Sequence, residues 1–445
     1  MRRRDLLRLG LASLGGLSVL GSLGCATAPA PSRRKRASYG PLGPVRDATT
    51  GLELLTLPQG FSYLTYGWTG DPLDDGKPTP SGHDGMACFA VEAGRVRLIR
   101  NHERDGNERA LFVPGAPCYD PLGPGGTTTL EFDVGAGRWL GAHASLTGTV
   151  RNCAGGPTPW ASWLTCEESL SGPEKGLRER HGYVLEVPVS GVASGRPLRG
   201  LGRFLHEAVA VDPATGIVYE TEDEQSAGFY RFVPEQRGDL TRGKLEMLAV
   251  RDRPGYDTRI GQPADVELPV EWVPIARPDP DDPAGDRVFS QGYALGGAVF
   301  RRLEGAFAHA GSIYFVATMG GDETCGQVWC HDPRAQSFRL LYESPGTDVL
   351  DCPDNIALSP RGGIVLCEDG QGGDFLRGLS PDGDLFTLCE NRVRLSGERN
   401  GLAGDFTGSE LAGACFDPTG RWLFVNVQNP GITFAITGPW ERGSL

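Results

Sequence analysis

The feature that most constrains this chain is a repeat. A short apolar, β-branched run ending in polar or acidic residues recurs about every fifty to a hundred residues. The runs cover residues 96–103, ending Asn101-His102-Glu103; 163–168, ending Cys166-Glu167-Glu168; and 217–223, ending Glu222-Asp223. They continue through 313–318, ending Thr318; 364–369, ending Cys367-Glu368-Asp369; and 423–428, ending Gln428. Several follow turns rich in Asp, Pro and Gly, such as Asp212-Pro213-Ala214-Thr215-Gly216 and Asp417-Pro418-Thr419-Gly420. Those residues supply the caps and positive φ angles that tight hairpins need. Turn, strand, polar end is the unit. Six units of about 65 residues each fit an all-β fold, a six-bladed β-propeller whose innermost strands converge on one channel. The 65 glycines and 34 prolines agree with many short strands and turns.

The N-terminus reads differently. Arg2-Arg3-Arg4 precede an apolar, glycine-rich stretch to about Gly24 and then Ala26-Thr27-Ala28, the pattern of a twin-arginine signal peptide. The expected organisation is a signal peptide over 1–28, a linker over 29–45 and a single propeller domain over 46–445. A membrane span fits poorly, because Arg8 and glycines interrupt the run and Pro29 and Pro31 follow it. Export to the periplasm or outer envelope is therefore expected. Cys25 offers a lipid-anchor position, although Ser22 stands where a lipobox prefers an aliphatic residue.

Removing residues 1–36, which carry eight basic residues and one acidic, leaves 35 Lys and Arg against 55 Asp and Glu, a net of −20. Such a surface argues against nucleic acid as a partner and suits cation binding. The chain reads as a monomer acting on a small molecule. No C-x-x-C pair occurs among the ten body cysteines, which argues against a zinc ribbon or a thioredoxin-like site.

If the polar strand ends meet at one mouth, several carboxylates lie close together, an arrangement too costly unless cations neutralise it or protons are taken up. The candidate metal ligands are Glu103, Glu167, Glu168, Glu207, Glu222, Asp223, Asp354, Glu368 and Asp369, with His102 and His206 beside them. Their oxygens suit hard cations, whereas Cys166 adds a donor suited to a transition metal. Cys166 also reads as a buried packing cysteine, and for Cys367 core packing is the expected role. Arg302 and Glu304 stand two apart, so a strand presents both on one side, where the arginine can grip a phosphate and Glu304 hold metal. A plain surface ion pair is the alternative.

These motifs resemble those of the PhoX-type alkaline phosphatases, a family of exported, twin-arginine-dependent enzymes. The matching segments include Gly82-His83-Asp84-Gly85-Met86, Arg100-Asn101-His102-Glu103, and Asn152-Cys153-Ala154-Gly155-Gly156 onward through Glu168. They extend to Phe204-Leu205-His206-Glu207-Ala208, Thr221-Glu222-Asp223, Arg302-Leu303-Glu304-Gly305, Pro353-Asp354-Asn355 and Leu366-Cys367-Glu368-Asp369. The resemblance implies a six-bladed propeller with a cluster of Fe³⁺ and Ca²⁺ that hydrolyses phosphomonoesters. By position Cys166 resembles the family's iron-ligating cysteine, Glu304 a metal ligand and Arg302 the arginine that binds the substrate phosphate. This chain is shorter than typical members, and no second phosphate-binding arginine is placed by its sequence. Two other readings are a calcium-dependent hydrolase of lactones or phosphotriesters, which needs fewer carboxylates and no thiol, and a non-catalytic envelope propeller stiffened by calcium.

Overall fold

In the computed structural model the described residues are 38–92, 94–105, 115–282 and 285–445. The expected signal peptide over residues 1–28 and Cys25 lie outside them. The regular structure of the body is almost entirely strand, arranged as antiparallel, propeller-like sheets. In the first sheet His83–Glu92, Arg95–His102, Gly125–Asp133 and Arg138–Thr149 follow one another in order. Asn152–Pro157, Ser162–Glu167 and Val184–Pro188 make the next, with Leu185 bridging to Pro197 at its edge. Two further meanders, 206–250 and 303–343, are joined through the strand Leu268–Pro274 into one nine-stranded sheet.

The sheet that begins with Pro353–Leu358 continues outward to Leu55–Pro58 and then Leu42–Val45. Residues 42–45, expected as linker, are thus part of the body. Tyr39 helps to hold this end, its hydroxyl donating to Leu445 O at 2.8 Å and its ring packing edge-on against Trp440. The last sheet, Leu411–Phe416, Trp422–Val427 and Ile432–Thr437, takes its outer strand from Ser62–Tyr66 near the other end of the chain. First and last parts of the body therefore close one sheet together.

The turn signals act as their chemistry dictates. Asp212 accepts from Ala214 N at 3.0 Å and Thr215 Oγ1 at 2.6 Å, and Gly216 takes φ 77°. Asp417 does the same for Thr419.

The first strand of each meander faces the centre. His83–Glu92 packs on Asn152–Pro157, which packs on His206–Val211, and the succession runs through Leu303–His309, Pro353–Leu358 and Leu411–Phe416 back to His83–Glu92. These inner strands lie very close. A Cβ on Gly85 would stand 2.5 Å from Ala154 Cα, and one on Gly305 would stand 2.6 Å from Asp354 O. Glycine is what permits that approach. Apolar clusters between the sheets, such as the one built around Phe229, Phe315 and Trp329, make up the core.

Candidate metal centre

Every inner strand breaks register at its start, after the first residue in five of them and after the second in Leu411–Phe416. The shifts fall between His83 and Met86, Asn152 and Gly155, His206 and Val209, Leu303 and Ala306, Pro353 and Ile356, and Ala412 and Cys415. A bulge turns one side chain out of the normal alternation. The residues placed there are Asp84, Cys153, Glu207, Glu304 and Asp354, and all five line one cavity of about 470 Å³.

A second tier comes from the strand that pairs with each inner strand. Just beyond its end, the next residue donates its N–H back to the residue preceding the inner strand: Glu103 to Gly82 O at 2.7 Å, Glu168 to Arg151 O at 2.9 Å, Asp223 to Leu205 O at 3.1 Å and Asp369 to Cys352 O at 3.0 Å. Thr318 and Gln428 repeat the pattern on Arg302 and Glu410. Glu103, Glu168, Asp223 and Asp369 complete the wall together with Glu410, Gln428, Arg151 and Arg302.

Ligand atoms within this wall form four overlapping groups, each with its atoms within 4.8 Å of one another. They are Asp84, Glu103 and Cys153; Cys153, Glu168 and Glu207; Glu207, Glu304 and Asp354; and Asp354, Asp369 and Glu410. Neighbouring groups share one residue, so the donors run continuously from Asp84 to Glu410.

Nine carboxylates face only two guanidinium groups here. Burial, then Asp223 and Glu103, push the Glu168 acid up to about 8 despite the opposing Arg151. Burial and Asp369 raise Asp354 to about 7. Asp84, Glu207, Glu304 and Glu410 are pushed well above the usual carboxylate range, by burial first and then by the charge of neighbouring cavity carboxylates, Asp354 acting on all four. The Cys153 thiol is also driven up by burial and by Glu103 and Glu168, and it donates to Glu168 at 2.8 Å. Without cations this cavity retains protons. Its donors fit metal ions: eight or more oxygens of the kind calcium takes, with one sulfur that a softer ion favours.

Not all residues singled out from the sequence reach the cavity. Glu103, Glu168, Glu207, Asp223, Glu304, Asp354 and Asp369 line it, as does Arg302. Cys166 does not. It is fully buried in an apolar cluster with Leu164, Val184 and Val209, one pleat below Glu168, and the thiol that lines the cavity is that of Cys153. Cys367 likewise packs in the core.

Strand alternation turns Glu167, Glu222 and Glu368 away from the cavity that their successors face. Glu167 accepts from His181 Nδ1 at 2.7 Å and from the amides of Val150, Gly182 and Tyr183. Glu222 accepts from Tyr230 Oη at 2.7 Å and Gly228 N at 2.9 Å, and Glu368 from Arg377 Nε at 2.8 Å and Asp351 N at 3.0 Å. His102 bonds Ser81 O and Thr128 Oγ1, and His206 bonds Gly202 O. These groups brace the structure around the site.

Asp84, Cys153, Glu410 and Arg151 are cavity residues that the strand-end pattern did not reveal. For Asp84 and Cys153 the signal lay at the start of the inner strands, where an acid or thiol precedes a small residue, Asp84-Gly85 and Cys153-Ala154, as in Glu207-Ala208 and Glu304-Gly305; Glu410 and Arg151 stand just before an inner strand and carry no such mark.

The carbonyls released by the bulges are held by side chains from adjoining meanders. Asn101 Nδ2 donates to Cys153 O at 2.9 Å, Thr221 Oγ1 to Glu304 O at 2.6 Å and Asn426 Nδ2 to Asp84 O at 2.6 Å. Asn426 is held in turn by Thr433 Oγ1, which donates to its Oδ1 at 2.6 Å, and Thr433 accepts from the buried Arg100 Nη1 at 2.6 Å. A hydrogen-bonded chain thus reaches the backbone of Asp84 from beneath.

Comparison with known proteins supplies the family. The family described as alkaline phosphatase PhoX matches residues 37–141 and 123–431. Among solved structures, Pseudomonas fluorescens PhoX in complex with vanadate, a transition state analogue, is similar over 92% of this chain and 99% of its own, with 17% identity and a TM-score of 0.64. The virginiamycin B lyase of Staphylococcus aureus is similar over 85% of this chain and 99% of its own, with 9% identity and a TM-score of 0.39. No curated protein matches the chain.

Proposed function

Because this chain belongs to the alkaline phosphatase PhoX family, we propose that it is a metal-dependent phosphomonoester hydrolase working in the cavity between Asp84 and Glu410. The observation that carries the reading is the unbroken run of four donor groups in one cavity, flanked by two arginines. The sheets are read as the blades of a six-bladed propeller, with the inner-strand bulges aiming the donors.

Calcium is the ion for the carboxylate groups around Glu207, Glu304, Asp354, Asp369 and Glu410, and ferric iron the ion for the groups that share Cys153. When bound, these ions supply positive charge to the phosphoryl oxygens and to an oxygen nucleophile. The chain's own residues do the rest. Arg302, held by Asp223 at 2.9 Å and by Glu304 at 2.9 Å, keeps its charge at the cavity and presents N–H donors to a phosphate oxygen. Glu304 and Asp223 fix the plane of that guanidinium. The carboxylate walls exclude other anions except one that the cations and arginines neutralise together.

The N-terminal segment supports export through the twin-arginine route to the periplasm or outer envelope, with Cys25 the position for a lipid anchor. The protein is read as a monomer.

Elemental analysis of the purified protein alongside hydrolysis of p-nitrophenyl phosphate tests the reading. Iron and calcium should co-purify, and phosphate release should cease on chelation. A fully metallated protein without turnover would sink the enzymatic reading; calcium without iron would sink the mixed cluster.

A further inference from the structure

We infer that Asn101 is the positioning residue that aims the Cys153 thiol into the cavity, by clamping the bulge on which that thiol sits. The inference deepens the metal-centre reading above and rests on it.

Asn101 lies two residues before Glu103, in the strand Arg95–His102, and is fully buried. Its Nδ2 donates to two consecutive carbonyls of the neighbouring inner strand, Cys153 O at 2.9 Å and Ala154 O at 2.8 Å. Its Oδ1 accepts from Trp163 Nε1 at 2.8 Å and Thr165 Oγ1 at 2.9 Å. Carbonyls only accept and an indole only donates, so the amide has one orientation here, and its full capacity of two donors and two acceptor sites is used. In a regular pleated strand successive carbonyls point to opposite sides, beyond the reach of a single amide. The bulge between Asn152 and Gly155 brings both to one side. Asn101 therefore makes its two bonds only to the bulged backbone, and that bulge is what turns Cys153 towards the cavity.

The same place in two other meanders is filled differently. Thr221, two before Asp223, and Asn426, two before Gln428, each reach a neighbouring inner strand at one carbonyl, Glu304 O and Asp84 O, both at 2.6 Å. Asn101 clamps two. The stronger hold falls where aim matters most, because nine carboxylates line the cavity whereas Cys153 is its one thiol among the described residues. A displaced carboxylate has neighbours of the same chemistry beside it; a displaced thiol has none.

The test compares wild type with three variants. Asn101→Asp keeps the shape but sets carboxyl oxygens against the two carbonyls, Asn101→Ser removes the clamp, and Trp163→Phe removes a donor from the far side of the Asn101 amide while leaving the clamp in place. In the purified holoprotein, iron and calcium are counted by elemental analysis and the ferric thiolate charge-transfer band is read per bound iron. In chelated protein, alkylation of Cys153 by iodoacetamide is followed by peptide mass spectrometry, and the melting temperature of each variant is measured. The Asn101 variants should hold iron about 10–100-fold more weakly in competition with a chelator, lose most of the band per iron, and alkylate at Cys153 about tenfold faster or more. Trp163→Phe should melt lower but keep the wild-type band and alkylation rate. Unchanged band and unchanged alkylation in a folded Asn101 variant overturn the inference, as do changes that Trp163→Phe reproduces at equal loss of melting temperature. Asn101 variants that fail to fold while Trp163→Phe folds overturn it too, since Asn101 is then a general brace. Wild type without iron removes the mixed cluster, and the alkylation rates still decide Asn101.

Discussion

Three times this chain places two carboxylates side by side at a strand end: Glu167 and Glu168, Glu222 and Asp223, Glu368 and Asp369. The first member of each pair is turned away from the cavity into a set of donors. Glu167 has an imidazole and three amides, Glu222 a phenol and an amide, and Glu368 a guanidinium and an amide. The second member faces other acids. Identical chemistry thus has opposite consequences one residue apart, because a buried carboxylate is stabilising only where donors meet it. The layer beneath the cavity is built to hold the chain, and the layer lining it is built to hold cations.

Exchanging the two layers in one pair gives the largest effect. Glu168→Gln should reduce kcat/KM for p-nitrophenyl phosphate by about 10² or more and lower the metal content, with little loss of melting temperature in chelated protein. Glu167→Gln should do the reverse. It leaves His181 and buried amides poorly matched, costing about 2–4 kcal/mol in denaturant unfolding, while activity per folded molecule stays within a few-fold of wild type. If both variants lost activity and stability alike, the two layers would not be separate.

The same difference predicts how pH acts on metal-free protein. Glu168 is raised to about 8 and Asp354 to about 7, whereas both ionise near 4 in an unfolded chain. Their contribution to stability is fully present below about pH 4, declines as the unfolded state sheds protons that the folded state keeps, and is lost once pH passes 7 to 8. Chelated protein should therefore be less stable at pH 8 than at pH 5 by several kcal/mol, and calcium should restore most of the difference by replacing the protons. Thermal unfolding at the two pH values, with and without calcium, reads this directly; equal stability of the chelated protein at both would overturn it.

The difference also sets what the sequence could reveal. Repeated strand ends and Asp-Pro-Gly turns are local patterns, so the β fold and the strand-end carboxylates Glu103, Glu168, Asp223 and Asp369 were legible before any coordinates, whereas Glu207, Glu304 and Asp354, at the starts of inner strands, lay outside that repeat. Period-two alternation was legible too, yet which face of Glu167-Glu168 met the cavity depended on the closing of the ring. Cys166 misled because it follows the same alternation as Glu168, but one pleat deeper, where Leu164 and Val209 surround it. Cys153 and Asp84 were hidden by bulges, which depend on pairing between strands and leave only a small residue after the donor as a trace. Residues 42–45 looked like linker because their partner, Leu55–Pro58, has a place only against the strand ending at Asn391.

The smallest expected effect sharpens the boundary between the layers. Thr433 lies in the supporting layer, accepting from Arg100 Nη1 and donating to Asn426 Oδ1, both at 2.6 Å, while Asn426 Nδ2 holds Asp84 O at 2.6 Å. Thr433→Val keeps the shape and removes the hydroxyl, leaving Asn426 Oδ1 without its donor in a fully buried place, at about 1–2 kcal/mol. Arg100 keeps contacts to Gly67 O, His83 Nδ1 and Thr128 Oγ1, so the fold should survive. Asp84 would lose only the fixity of its carbonyl. A supporting layer that merely stabilises would lower the melting temperature by a few degrees and leave kcat/KM unchanged. One that also aims Asp84 would lower kcat/KM a few-fold in addition, and Thr433→Ser, which restores the hydroxyl, would recover both. The bond lengths favour the second outcome, because every link between Arg100 and Asp84 is short and none has a substitute partner on the Asn426 side.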